Sequence, residues 1–190
     1  MKVQKILGFA HSLLKTAISQ GDTVVDATVG NGHDTEMLAE LVGETGHVFG
    51  FDIQTDAISN TQKRLADKQL KDRVTLFNKG HETIKDAIPN THHSLITAAI
   101  FNLGYLPGGN KSIVTRGNTT ISAIDQLLEI MPQEGIIVLV VYHGHLEGAL
   151  ERNDVLDYVM KLEQEKVHVL KYEFINQKNN PPFIIAMEKR

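Results

Sequence analysis

The sequence TVVDATVGNGHD, residues 23–34, contains the most informative pattern of this chain. Its first four residues predict a short buried strand that ends in an acid, Asp26, and a helix is predicted over residues 33–41. Between strand and helix stand Gly30 and Gly32, which allow a tight turn and bring backbone N–H groups close to a ligand. The simpler alternative is that the two glycines only connect the strand to the helix.

The same loop argues against a dinucleotide ligand. A dinucleotide-binding fingerprint has a third glycine or alanine where this chain has Thr35. Asp26 would also repel a pyrophosphate at the end of the strand. The acid can instead accept hydrogen bonds from loop amides, or bind a cationic amino-acid ligand through water. The pattern therefore disfavours a nicotinamide enzyme.

Outside this stretch, strand and helix patterns alternate along the chain. Apolar spacing near 3.6 residues predicts helices, and short apolar runs predict strands. The predicted helices are residues 3–19, 33–41, 54–70, 81–88, 115–131 and 147–163, and the predicted strands are residues 23–26, 48–52, 74–77, 93–101, 135–142, 166–175 and 182–188. The last two strands are joined without a helix and should pair antiparallel. We predict an α/β fold, a doubly wound and mostly parallel seven-stranded sheet with the last strand antiparallel.

Length and composition fit one globular domain. The chain has 190 residues, 42% of them hydrophobic, a net charge of −4 and no cysteine. We expect a single domain over residues 1–190, with an N-terminal helix at 1–20 and the core at 21–188. The absence of cysteine excludes disulfides and thiolate metal sites, and it fits a cytoplasmic protein. We expect no signal peptide and no membrane span, and the mild acidity disfavours broad DNA binding.

Polar residues follow the second and third predicted strands. Asp52 ends the second strand, 20 residues beyond Gly32, which is the spacing of an acid that binds the ribose of an adenosine ligand. Gln54 is placed to hold the same ribose or the adenine edge. His81 and Glu82 follow the third strand, where an adenine ring would lie. The alternatives are a helix N-cap for Asp52 and an ordinary first-turn helix position for His81.

A glycine-rich loop, NLGYLPGGNK at residues 102–111, follows the fourth predicted strand. Asn102 is expected at the mouth of the cleft. Its amide oxygen is suited to hold the N–H groups of an amine whose lone pair must be aimed at a reacting carbon. Tyr105 is placed to wall the pocket or to stack on a base. The simpler alternative is an ordinary Gly/Pro loop.

The pattern Asp26-x-x-x-Gly30-x-Gly32, followed by Asp52, resembles the first motifs of Rossmann-like, class I, S-adenosylmethionine-dependent methyltransferases. The strings DATVGNGHDT, FDIQTDAI and FNLGYLPGGNK are further similar to a small bacterial family of tRNA methyltransferases, formerly described as rRNA methylases. This resemblance covers essentially the whole chain. It implies that S-adenosylmethionine methylates the amine of 5-aminomethyl-(2-thio)uridine at the tRNA wobble position. The products would be 5-methylaminomethyl-(2-thio)uridine and S-adenosylhomocysteine.

The candidate residues fall into three groups. Those expected to bind S-adenosylmethionine are Asp26, Gly30, Asn31, Gly32, Asp34, Asp52, Gln54, His81 and Glu82. Those expected to orient the amine are Asn102, Gly104 and Tyr105. Those expected to contact RNA are Tyr105, Lys111, Arg116, Tyr142, His143 and Arg152. The expected partner is a tRNA anticodon stem-loop bound by a monomer or homodimer, with no membrane or DNA partner.

Other functions stay open at this point. The enzyme could methylate ribosomal RNA or a small-molecule amine, or the fold could bind the donor without turnover as an RNA-binding module. Nine histidines invite a metal site, above all at His143 and His145. No H-E-x-x-H signature is present, so no metal is expected. A proton-accepting or RNA-contacting role for His143 is favoured instead. Fold alone does not decide among these functions.

Overall fold

The computed structural model describes residues 2–104, 108 and 113–190. Its helices are α1 (Ile6–Ala17), α2 (His33–Val42), α3 (Thr55–Asp67), α4 (Ile84–Ala87), α5 (Asn90–His93), α6 (Gly117–Ile130) and α7 (Leu146–Val159), with 3-10 turns at Lys71–Arg73 and His81–Thr83. Its strands are β1 (Thr23–Asp26), β2 (His47–Phe51), β3 (Val74–Phe77), β4 (Ile96–Leu103), β5 (Ile136–Val141), β6 (Val167–Tyr172) and β7 (Phe183–Lys189).

The strands form one sheet in the order β3-β2-β1-β4-β5-β7-β6. β1 pairs in parallel with β2 and with β4, and parallel pairing continues to β3 on one side and to β5 on the other. β7 is antiparallel to both β5 and β6, which confirms the predicted hairpin and antiparallel last strand. The strand order reverses between β1 and β4. In a doubly wound sheet, ligands bind beyond the carboxyl ends of the strands at such a reversal.

Helices cover both faces of the sheet. Side chains alternate between the two faces along each strand, and the strands place apolar side chains on both of them. On β4, Phe101 packs in one core with α4, α6 and α7, and its neighbour Ile100 packs in the other with α1, α2 and α3. Both side chains are fully buried. Burying such a side chain stabilises the fold by about 1.5–3 kcal/mol. The near-continuous apolar sequence of β4 follows from burial on both faces.

Helix α1 is held against the sheet at several points. Ala10 and Leu14 are fully buried in the core that α1 shares with α2 and β5. Phe9 stacks on Tyr172 of β6 with ring centroids 4.1 Å apart, and the Tyr172 hydroxyl donates to the Gln4 carbonyl at 2.8 Å. The first helix is therefore fixed in position relative to the carboxyl ends of the strands.

Several predicted boundaries are wrong. The fourth strand begins at Ile96 rather than residue 93, because Asn90–His93 forms a helical turn directly after Pro89. The same strand continues through Asn102 and Leu103, so Asn102 lies within β4 and not in a loop. The helix predicted over residues 81–88 is a 3-10 turn followed by α4. The other helices and strands begin and end within a few residues of the prediction.

Candidate active site

A cleft of about 1260 Å³ lies at the carboxyl ends of the strands, where their order reverses. The predicted site residues that line it are Gly30, Asn31, Asp34, Asp52, Gln54, His81, Glu82, Asn102, Gly104, Arg116, Tyr142 and His143. Three other predicted residues, Asp26, Gly32 and Arg152, are not among its lining residues. Tyr105 and Lys111 lie outside the described residues.

Asp26 supports the glycine loop from below. Its side chain is fully buried, and it accepts hydrogen bonds from the Thr28 amide at 3.1 Å and the Thr35 hydroxyl at 2.6 Å. Burial, together with the Asp34 carboxylate, raises the pKa of Asp26 to about 7. The residue that replaces the third glycine of a dinucleotide fingerprint is thus the hydrogen-bond donor to Asp26. This geometry offers no direct ligand contact to Asp26 and gives it a supporting role.

The two glycines have the conformation that the turn requires. Gly30 has φ 53° and Gly32 has φ 76°, a region that other residues rarely adopt. A Cβ on Gly32 would lie 2.6 Å from the Thr61 hydroxyl of α3. Gly32 therefore lets α3 pack against the loop, whereas Gly30 lines the cleft.

Asp52 connects the ends of β1 and β2. One carboxylate oxygen accepts the Gly30 amide at 2.9 Å, and the other accepts the Gln54 amide at 2.9 Å. The second bond satisfies the amide of Gln54, which is the N-cap residue of α3. The alternative that Asp52 is itself the N-cap of this helix is therefore wrong. A carboxylate has about four acceptor positions, and the two that remain can bind ligand hydroxyls in the cleft.

His81 leaves a buried acceptor at the cleft. Its Nδ1 lies 3.0 Å from the Ala27 carbonyl, which can only accept, so Nδ1 carries the proton. Within the described part of the chain, Nε2 is buried without a hydrogen-bond partner. Burial lowers the pKa of His81, so the ring is neutral and Nε2 keeps its lone pair. A buried acceptor of this kind calls for a donor from a ligand or water.

Asn102 is fixed by two segments. Its backbone amide donates to the Thr28 hydroxyl at 2.7 Å, and its side-chain Nδ2 donates to Asp34 at 2.7 Å. Burial alone would raise the pKa of Asp34, but hydrogen bonds from His11 and Asn102 outweigh it and lower that pKa. An ionised carboxylate only accepts, so Nδ2 faces Asp34 and the amide oxygen is left to accept from another group.

Gly104, which follows β4, and Thr115, which lies shortly before α6, are joined by two hydrogen bonds. The Gly104 amide donates to the Thr115 hydroxyl at 2.8 Å, and the Thr115 amide donates to the Gly104 carbonyl at 3.0 Å. Thr115 and Thr120 in turn donate to Glu151 of α7, which is 2% exposed. Burial raises the pKa of Glu151 against these hydrogen bonds. Nothing in the sequence pattern marks Thr115 or Glu151 as part of the site.

The predicted RNA contacts occupy different environments. His143 is buried, with Nε2 2.9 Å from the Pro181 carbonyl and Nδ1 3.4 Å from the Arg152 guanidinium. Both nitrogens are thereby used within the protein, since a carbonyl takes the Nε2 proton and the guanidinium donates to Nδ1. Arg116 and Tyr142 are exposed at the cleft. Of the described candidates, these two are the better placed for RNA.

His143 and His145 do not belong to a metal cluster. Within the ranges 2–104, 108 and 113–190, no three His, Asp or Glu side chains are grouped so that they could hold a metal ion.

In the same part of the chain, none of the helices has both the length and the apolar character needed to cross a membrane.

The residues fit a bound adenosyl sulfonium donor. The cleft combines a glycine loop, an acid after β2 that can accept further hydrogen bonds, and an acceptor at His81 that has no partner among the described residues. With the seven-stranded sheet and its antiparallel β7, this arrangement defines a class I, S-adenosylmethionine-dependent methyltransferase. The chain belongs to the family described as "Putative rRNA methylase", whose model matches residues 48–188.

Relatives extend the match over nearly the whole chain. The chloroplastic tRNA (mnm(5)s(2)U34)-methyltransferase of Arabidopsis thaliana is 37% identical over 98% of this chain and 70% of its own length. A structure described as a "putative rRNA-methylase" from Clostridium thermocellum is 46% identical, with a TM-score of 0.96 over 100% of both chains. A structure described as a "putative methyltransferase" from Streptococcus mutans, in complex with S-adenosylhomocysteine, is 35% identical, with a TM-score of 0.89 over 99% of both chains.

Proposed function

We propose that this methyltransferase acts on tRNA and methylates the amine of 5-aminomethyl-(2-thio)uridine at the wobble position. The product would be 5-methylaminomethyl-(2-thio)uridine. The name of the Arabidopsis relative supports a tRNA substrate with this modification. The observation that carries the reaction type is Asn102, whose Nδ2 is bonded to Asp34 so that its amide oxygen is left for an amine at the end of β4.

The donor residues come from three segments of the chain in this proposal. Asp52 and Gln54 would hold the ribose, and His81 with Glu82 would hold the adenine side. Gly30 and Asn31 line the cleft at the glycine loop, where the methionine part of the donor would lie. Asp34 also lines the cleft, but both its oxygens are bonded within the protein, to His11 and Asn102, so it would position Asn102 rather than bind the donor. Asp26 and Gly32 would act by shaping the loop rather than by contact.

The chemistry at Asn102 needs alignment more than a strong base. When bound, S-adenosylmethionine supplies a methyl group on a sulfonium, which is attacked in line by the neutral amine. The carbon–sulfur bond breaks as the carbon–nitrogen bond forms, and the electron pair leaves with sulfur as S-adenosylhomocysteine. The Asn102 oxygen would accept an amine N–H and so aim the lone pair. The methylated ammonium then loses its proton to solvent.

The RNA is proposed to enter over α6 and the end of β5. Arg116 directly precedes α6 and is exposed at the cleft, which suits a phosphate contact. Tyr142 follows β5 and is 37% exposed, which suits stacking on an unpaired base of an anticodon loop. Roles for Tyr105, Lys111, His143 and Arg152 in RNA binding, a monomeric or dimeric state, and a cytoplasmic location stay predictions.

Nucleoside mass spectrometry tests the proposal. Purified protein and S-adenosylmethionine are incubated with tRNA that carries 5-aminomethyl-2-thiouridine, and the digested nucleosides are compared before and after. We expect that nucleoside to gain one methyl group. Asn102→Ala should transfer methyl groups at least about tenfold more slowly, the loss expected for one hydrogen bond to a charged group, with unchanged affinity for S-adenosylhomocysteine.

Other acceptors are the alternative outcome. The family description favours ribosomal RNA as the second candidate, and a free small-molecule amine is the third. Methylation of ribosomal RNA or of a free amine, with none on the tRNA nucleoside, would refute the wobble-uridine assignment. Equal loss of turnover and donor affinity in Asn102→Ala would refute the role given to that side chain.

A further inference from the structure

We propose that His11 of α1 is a positioning residue for methyl transfer, which acts on Asn102 through Asp34. The proposal rests on the function proposed above. His11 lies on the helix that precedes the sheet, in a part of the chain that the family model does not match. It therefore gives α1 a part in the reaction besides covering one face of the sheet.

The three side chains form a continuous hydrogen-bonded chain, here called the α1 relay. His11 Nε2 lies 2.8 Å from Asp34 Oδ1, and Asn102 Nδ2 lies 2.7 Å from Asp34 Oδ2. Both oxygens of the carboxylate are thus engaged, each by a different segment. The Asp34 side chain is 14% exposed and that of His11 is 32% exposed, so solvent screens the pair only in part.

The α1 relay decides which atom of Asn102 faces an amine. A side-chain amide can turn about its terminal torsion, which is broad and roughly two-fold. Only an acceptor fixed in place holds Nδ2 to one side, and Asp34 is fixed because His11 holds its other oxygen. Removal of His11 frees the carboxylate to rotate, so the Asn102 oxygen loses its single orientation.

The effect should fall on the transition state. During transfer the amine gains positive charge, so its N–H becomes a stronger donor to the Asn102 oxygen than in the bound substrate. Interactions that strengthen only in the transition state change kcat more than ligand binding. A misaligned oxygen should therefore slow transfer and leave donor affinity as it was.

The position of α1 supports a local role for His11. Ala10 and Leu14, on either side of His11, are fully buried, and Phe9 is stacked on Tyr172. These contacts do not involve His11, so the helix keeps its anchors when His11 is replaced. Leu7, one turn earlier, lines the same cleft.

Three variants test the proposal, with wild-type protein assayed alongside. His11→Ala removes the donor to Asp34. His11→Gln keeps an N–H donor, since the glutamine amide can donate to the carboxylate. Lys15→Ala is the matched control, because Lys15 is exposed one turn further along α1. Thermal midpoints are measured first, and His11→Gln keeps the test possible where His11→Ala does not fold.

We expect His11→Ala to lower kcat on the aminomethyluridine RNA by about tenfold or more, the range for one hydrogen bond to a charged group. Affinity for S-adenosylhomocysteine should stay within twofold of wild type, His11→Gln should recover most of kcat, and Lys15→Ala should match wild type. An unchanged kcat in His11→Ala, or an equal loss of donor affinity, overturns the proposal.

A double-mutant cycle separates an indirect role from a direct one. If His11 acts through Asp34, His11→Ala should have no further effect in the Asp34→Ala background, which has no side-chain acceptor for His11. Multiplying effects would mean that His11 acts independently, which overturns the α1 relay. Should wild-type protein methylate no RNA, the proposed function fails, and the α1 relay is judged by NMR. The Asn102 side-chain amide resonance must then shift in His11→Ala and not in Lys15→Ala, and an unmoved resonance overturns it.

Discussion

Replacement of Asp26 by asparagine should change how stability depends on pH. Asp26 is fully buried under the glycine loop, and burial raises its pKa from 3.8 to about 7. The folded protein therefore binds this proton more tightly than the unfolded chain does. The resulting stability is fully present below about pH 4 and is lost as the pH rises through 7. Asparagine carries no titratable proton, so the variant should not lose this part of its free energy of unfolding as the pH rises.

The size of the effect follows from the shift in pKa. One pKa unit corresponds to about 1.4 kcal/mol, so a shift from 3.8 to about 7 sets a ceiling of about 4 kcal/mol. The asparagine side chain can still accept the Thr28 amide, but its NH2 group then faces the Thr35 hydroxyl, which must accept instead of donate. That exchange offsets the gain by a constant amount at every pH.

Urea unfolding of both proteins at pH 5 and pH 8 measures the effect. The free energy of unfolding of Asp26→Asn minus that of wild type should become more positive from pH 5 to pH 8, by up to about 3 kcal/mol, because about two of the pH units between 3.8 and 7 are crossed in this interval. The histidines are common to both proteins and largely cancel in this difference. Asp56→Asn, at an exposed position in the first turn of α3, should show no such change. A constant difference, or one of opposite sign, would refute the reasoning about Asp26.

Two further substitutions test the donor site. Asp52→Ala should weaken S-adenosylhomocysteine binding by about tenfold or more in calorimetry, because a charged acceptor is lost; unchanged affinity would contradict its ribose role. Gly32→Ala should cost about 1–3 kcal/mol of unfolding free energy, because Gly32 has φ 76° and an added Cβ would lie 2.6 Å from the Thr61 hydroxyl. Gly8→Ala in α1 is the control: nothing lies within 4 Å of the added Cβ, so it should stabilise the helix by up to about 1 kcal/mol.

Local patterns carried most of the fold prediction. Buried strands such as Ile136–Val141 are visible in the sequence as short apolar runs, and amphipathic helices such as Gly117–Ile130 are visible as apolar spacing near 3.6 residues. The prediction failed where two local signals compete. Asn102 was predicted to leave the sheet because a polar residue followed an apolar run, but its amide pairs with the Thr28 hydroxyl and β4 continues.

Contacts between segments that are far apart in the chain could not be predicted from the sequence. Asp34 and Asn102 are 68 residues apart, and Thr115 and Glu151 are 36 apart. Nothing in the local pattern of α7 marks Glu151 as buried, since that depends on a threonine that the topology brings to it. In the sequence, His11 looks like any polar residue on the exposed side of a helix. Only the folded chain brings it into hydrogen-bond distance of Asp34. Strand topology thus selects which polar residues meet.

The most direct test of the central claim is methyl transfer to an anticodon stem-loop RNA from S-adenosylmethionine with a deuterium-labelled methyl group. Two RNAs are compared, one with 5-aminomethyl-2-thiouridine at the wobble position and one with unmodified uridine there. We expect one labelled methyl group on the modified wobble nucleoside and none on the unmodified RNA. Label at any other nucleoside, or equal label on both RNAs, would contradict it.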